Sequence, residues 1–143
     1  MATDPELMRQ LIRHEGMELR PYRDTVGKLT IGVGRNLDDN GITAEEAMAL
    51  LRNDLERHGQ ELVAAFPVVT RLDVARHRVL LNMAFNMGIP ALRKFRRMWA
   101  AIDAADYPGA AREMLDSTWA EQVGSRATEL ATIMRTGEWH THG

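Results

Sequence analysis

The sequence predicts an α+β fold, because its strand-forming residues come first and its long helical patterns follow. Residues 17–35 gather Tyr22, Val26, Leu29, Thr30, Ile31 and Val33 between Pro21, Gly27, Gly32 and Gly34, the composition of two or three short, tightly turned strands. From Thr43 onward, apolar residues recur at helical spacing through most of the chain. Strands grouped ahead of helices argue α+β and against a parallel α/β sheet.

The elements follow in order. Thr3 and Glu6 have capping-box spacing with Pro5 in the first turn, so a helix is expected to begin there. Leu7, Met8, Leu11 and Ile12 form its apolar stripe, and Gly16 ends it. After the strands, Asp38-Asp39-Asn40-Gly41 reads as a turn. Thr43 and Glu46 make a second capping box, opening a long helix to about Val63 with apolar positions at Ala47, Leu50, Leu51, Leu55 and Leu62. Phe66-Pro67 breaks it. The most apolar helix spans about Leu72 to Met87, stopped by Gly88 and Pro90, and is expected to be buried on most sides. Three shorter helices are expected near 91–104, 108–117 and 125–135, with a loose tail from Gly137. The expected organisation is one domain over 1–143: a small β lobe at about 16–42, a connecting helix at 43–65, and a helical lobe at 66–137 packed with the N-terminal helix. A cleft between the lobes is the expected ligand site.

Composition narrows the function. The chain has 143 residues, 18 Lys+Arg against 20 Asp+Glu and no cysteine, which rules out a disulfide scaffold, a thiolate zinc site and a cysteine nucleophile. A net charge of −2 argues against nucleic-acid binding through bulk charge. No apolar run is long enough for a membrane span, and Met1-Ala2-Thr3-Asp4-Pro5-Glu6 lacks the shape of a signal peptide. Residues 1–66 carry 8 basic and 12 acidic side chains, whereas residues 67–143 carry 10 and 8. The densest basic run is Arg93, Lys94, Arg96 and Arg97, either a solvated helix face or a site for an anionic polymer.

Glu15 is the most informative residue. It lies seven after Met8, four after Leu11 and three after Ile12, so it continues the apolar stripe. A carboxylate there is expected to be paired, hydrogen-bonded, or kept protonated through a raised pKa, and a salt bridge to an arginine is one such reading. Asp24 precedes the Thr25-Val26-Gly27 turn and Thr30 follows it, and a hairpin folded back on the helix end would bring all three together. One carboxyl in an apolar setting and one in a polar setting is the asymmetry that glycoside hydrolysis needs.

These residues carry a family resemblance. Leu11-Ile12-Arg13-His14-Glu15-Gly16, Leu19-Arg20-Pro21-Tyr22-Arg23-Asp24 and Gly27-Lys28-Leu29-Thr30-Ile31-Gly32-Val33-Gly34 resemble the catalytic segment of phage-type lysozymes, the endolysin muramidases typified by the T-even phage lysozyme. The hallmark is Glu, eight residues, Asp, five residues, Thr. Asn40–Thr43 with Glu45-Glu46-Ala47 resembles the start of the family's interlobe helix, Asn82–Gly88 its central buried helix, and Ser117-Thr118-Trp119, Arg126-Ala127 and Arg135–Trp139 its C-terminal helices.

The resemblance implies a lysozyme-like fold with its cleft between the lobes, and hydrolysis of the β-1,4 bond between N-acetylmuramic acid and N-acetylglucosamine in peptidoglycan. Glu15 is then the general acid, with burial against the apolar stripe raising its pKa. Asp24 stays ionised and, with the Thr30 hydroxyl, activates a water on the other face of the sugar. That is inverting geometry, with carboxyls roughly 6.5–9.5 Å apart. Phe85, Asn86 and Arg126 match substrate-facing positions. Gly32 and Gly34 are read as places where backbone approaches a sugar ring, or as strand kinks.

The same resemblance implies no cofactor and no metal. The histidines, His140 and His142 in the tail included, show no H-E-x-x-H spacing. It implies a monomer made in the host cytoplasm without a signal peptide, released by a holin-type membrane lesion, and acting on periplasmic cell wall without nucleic acid or membrane insertion. Arg35-Asn36 departs from the family's His-containing pair, so an ion pair seen there is absent or remade, and the segment from Gly34 to Thr43 is shorter. Two alternatives stay open: a lytic transglycosylase, and a tail-associated or wall-binding structural module.

Overall fold

The structure, a computed structural model, describes residues 1–139; His140, His142 and the end of the expected loose tail lie outside the described residues. The chain divides into two compact units, residues 1–50 and 51–143.

The first unit opens with α1 (Pro5–Glu15). Its cap is Asp4 rather than a Thr3–Glu6 box: the Asp4 carboxylate accepts from the N–H groups of Glu6 and Leu7 at 3.0 and 3.3 Å. Proline at the first helical position makes the residue before it the cap. Three antiparallel strands follow, β1 (Glu18–Arg23), β2 (Leu29–Gly32) and β3 (Arg35–Asn36), in spatial order β1-β2-β3. Tyr22 pairs with Thr30 and Arg23 with Leu29, while a bulge interrupts β1 between Glu18 and Tyr22. The expected 38–41 turn is a single helical turn, α2 (Leu37–Asn40), because the Asn36 side chain caps it through the Asp39 N–H and Gly41 closes it at φ +58°. The long helix α3 (Ala44–Ala65) starts with the expected box: Thr43 N–H donates to Glu46 Oε1 at 2.9 Å, and Glu46 N–H to Thr43 Oγ1 at 3.1 Å.

Thr30 is the one buried residue in this unit. The stripe of α1 accordingly has no core to enter there: Met8 and Leu11 are exposed and none of the helix is buried. Of the apolar positions of α3 only Leu62, in the second unit, is buried.

The second unit holds the hydrophobic core. After a 3-10 turn at Pro67–Arg71, α4 (Val74–Met87) contributes Val79, Leu80, Met83 and Ala84. The helix expected at 91–104 is two pieces, α5 (Ile89–Arg93) and α6 (Arg96–Asp103). The break between them turns Phe95 toward Trp119, ring edge to face at 6.1 Å. Then come α7 (Tyr107–Leu115), α8 (Thr118–Val123) and α9 (Ser125–Thr136). Helical spacing alone predicts no helix at α8, although the resemblance places Ser117-Thr118-Trp119 in a C-terminal helix; the Ser117 hydroxyl caps it through the Ala120 N–H and Gly124 ends it. Helix α9 packs on α7 and α4. Its last carbonyls are taken by one side chain: Arg76 donates to the Met134 and Arg135 carbonyls at 2.7 and 3.3 Å while lying 3.7 Å over the Tyr107 ring.

Candidate active site

Glu15, Asp24 and Thr30 all fall within the first unit. Asp24 follows β1 and opens the loop to Lys28, where Gly27 takes φ +86° and its N–H returns to the Asp24 carbonyl at 3.0 Å. Asp24 Oδ1 accepts from the N–H groups of Val26 and Lys28 at 3.0 and 2.8 Å. Oδ2 takes no hydrogen bond from the described residues.

Thr30, only 3% exposed, donates its hydroxyl proton to the Lys28 carbonyl at 2.9 Å, so its oxygen faces any further partner as an acceptor. The same carbonyl accepts the Asp24 N–H at 2.9 Å. One peptide oxygen therefore anchors both the carboxylate residue and the hydroxyl residue. Asp24 thus keeps one carboxylate oxygen without a hydrogen bond from the described residues, and Thr30 keeps a hydroxyl oriented by its bond to Lys28.

Glu15 is exposed, contrary to the expected burial on the α1 stripe. The reason is the missing core around that stripe within the unit. Its carboxyl instead lies against the turn after β2. A Cβ built on Gly34, at φ +71°, would stand 3.1 Å from Glu15 Oε2 and 3.3 Å from Cδ and Cγ. The close approach at Gly34 is thus to the acid itself.

Charged groups brace the hairpin from outside. The Asp38 carboxylate accepts the Leu29 N–H at 2.7 Å. Lys28 Nζ donates to Asp39 Oδ1 at 3.1 Å. That bond holds the lysine above its usual range and, with the Asn36 amide, holds Asp39 below the carboxylate range. Arg35 makes a two-pronged pair with Glu46, 2.7 Å on each arm, and also donates to the Gly41 carbonyl at 3.1 Å. Arg35 first, and then the Thr43 N–H, push Glu46 down to about 2. Arg35 thus makes an ion pair, but a half-exposed one with Glu46. Sequence pattern names neither Glu46 as the partner of Arg35 nor the Asp38 brace, although Asp38 and Asp39 beside a hairpin are a visible signal.

In the second unit Phe85 is partly exposed and meets His58 edge to face at 5.3 Å. Arg126 donates twice to Asn82 Oδ1, at 3.0 and 2.7 Å. Phe85 and Arg126 line one cavity of about 390 Å³ with Leu51, Leu55, Asn82 and Trp139. Asn86 is not brought to it: its Oδ1 accepts from Trp119 Nε1 at 2.8 Å. Lys94, Arg96 and Arg97 line another, of about 440 Å³, with Glu113, Asp116 and Trp119. Arg93 lies 5.2 Å over the Phe66 ring. Among the described residues no group of His, Asp and Glu has metal-binding geometry.

Comparison with known proteins gives a consistent answer. The phage lysozyme family model matches residues 12–135. The chain is 32% identical to the pre-baseplate central spike protein Gp5 of Enterobacteria phage T4 over 93% of its own length, but spans only 28% of that protein. It is 28% identical to probable T4-type lysozyme 1 of Dictyostelium discoideum, covering 86% of this chain and 89% of that one. It is 30% identical to the SAR-endolysin of Escherichia phage Mu, covering 85% and 70%.

Proposed function

This chain belongs to the phage lysozyme family, a glycoside hydrolase of lysozyme type, and from that premise we propose that it cleaves the β-1,4 bond between N-acetylmuramic acid and N-acetylglucosamine in peptidoglycan by inversion. Glu15 is the general acid that protonates the glycosidic oxygen. Asp24 is the base, taking a proton from a water that donates its other hydrogen to Thr30 Oγ1, and the water oxygen attacks the anomeric carbon. Phe85 and Arg126 contribute to sugar binding, whereas Asn86 holds Trp119, which lines the other cavity.

The observation that carries this reading is the shared Lys28 carbonyl, which ties Asp24 and Thr30 together at 2.9 Å each. It suits a positioned water, which a transglycosylase, where the sugar's own hydroxyl attacks, does not need. Product mass tests this: hydrolysis adds water to the fragments, whereas an anhydro-sugar product would favour the transglycosylase. Glu15→Gln should abolish turnover in a folded protein, and a folded, active Glu15→Gln variant would remove the assignment.

The biological setting we infer is lysis of the host wall by a monomer that reaches the periplasm through a holin-type lesion. The similarity to a baseplate spike protein over 93% of the chain favours a second setting, the same chemistry carried on a virion tail. Finding the protein in purified virions would favour the tail. Clearing of cells only after membrane permeabilisation would favour the endolysin.

A further inference from the structure

Resting on that reading, we propose that Asp38 on α2, seconded by Asp39, is a positioning residue that holds the Asp24 carboxylate and the Thr30 hydroxyl in register for the attacking water. The loop from Asp24 to Lys28 is closed by the Arg23–Leu29 pair of β1 and β2, and Asp38 touches both members. Its carboxylate accepts the Leu29 N–H at 2.7 Å and stands 3.7 Å from the Arg23 guanidinium. Arg23 in turn donates to the Gly27 carbonyl at 3.1 Å, inside the loop.

Asp39 acts one residue earlier. It holds Lys28 by its ammonium at 3.1 Å and is itself steadied by the Asn36 amide at 2.9 Å. Lys28 is the residue whose carbonyl carries both Asp24 and Thr30, and whose N–H binds Asp24 Oδ1 at 2.8 Å. Two neighbouring carboxylates on one helical turn thus grip the two consecutive residues, Lys28 and Leu29, through which the base and the hydroxyl are joined.

Neither aspartate is buried, so their loss removes no core packing. A free loop would let Asp24 and Thr30 drift by a fraction of an ångström, which costs rate because proton abstraction and attack must be aligned. The span from Asn36 to Gly41 is too short for a separate lobe, and this brace gives it a use.

The test compares Asp38→Ala, Asp38→Asn and Asp39→Ala on purified peptidoglycan, alongside Asp24→Asn, with circular dichroism as the check on folding. Asp38→Ala should lower kcat about tenfold to a hundredfold with KM within about twofold. Asp38→Asn keeps an acceptor for the Leu29 N–H and should recover most of that loss. Asp39→Ala should show a smaller loss in kcat, and it carries the test if Asp38→Ala fails to fold. Unchanged kcat in folded Asp38→Ala, a loss confined to KM, or no recovery in Asp38→Asn would overturn the proposal. So would unchanged kcat in Asp39→Ala. An active Asp24→Asn would instead remove the underlying assignment of the base.

Discussion

Gly34 makes room for Glu15: the carboxyl of the proposed acid lies where a side chain at 34 would begin, 3.1 Å from the position of a Cβ. The turn holds φ +71° at this residue, so its conformation and its lack of a side chain are both used. Gly34→Ala should destabilise the fold by about 1–2 kcal/mol through the left-handed backbone. It should also lower turnover by about tenfold or more, because Glu15 must move. Denaturant melts and turnover numbers read the two effects separately. Turnover at the parent level would mean that the contact does not set the position of Glu15.

Thr30 separates chemistry from packing. Thr30→Val keeps the shape but removes the hydroxyl, and the Lys28 carbonyl still accepts the Asp24 N–H. Stability should therefore stay within about 1 kcal/mol of the parent, while kcat falls by about a hundredfold. A large loss of stability with unaltered kcat in the remaining folded protein would assign Thr30 to the fold alone.

The Arg35–Glu46 pair sets an acid limit. Glu46 falls from 4.5 to about 2, first through Arg35 and then through the Thr43 N–H. A depressed carboxylate contributes stability that is fully present above its unfolded pKa and is lost as pH falls through the folded value. The contribution should therefore fade between about pH 4.5 and about 2. Glu46→Gln can still accept from Thr43, but it removes this pH dependence. Melting temperature against pH should then have a shallower acid limb in Glu46→Gln than in the parent, and superimposable limbs would exclude the pair as its source. Both side chains are only half buried, so the effect is modest and should weaken with salt.

The legible parts were those carried by local rules. The Thr43–Glu46 box was readable because both partners lie within one turn of the helix they start, and the three-strand region because glycine and proline punctuate β-branched residues. The link from Asp24 to Thr30 through the Lys28 carbonyl is what a short hairpin makes legible. What escaped depends on neighbours that pattern does not name. Glu15 was expected to be buried because the α1 stripe is apolar, yet a stripe is buried only where something covers it. The 38–41 segment has turn composition, and Asn36 made it one helical turn. Helix α8 is invisible to spacing, since six residues are too few for a periodicity to register, and only the resemblance at Ser117-Thr118-Trp119 points to it. The departure at Arg35 leaves open whether an ion pair is absent or remade, and pattern does not name its half-exposed partner Glu46, eleven residues on.

The central claim is that Asp24 and Thr30 position a water opposite Glu15, and the anomeric form of the fresh product tests it most directly. Proton NMR on newly cleaved glycan, recorded before mutarotation, should show the α-anomer at the new reducing end, since a β-linked sugar is attacked once from the opposite face. A β-anomer as first product would contradict it, because two displacements would then require Asp24 to bond the sugar itself.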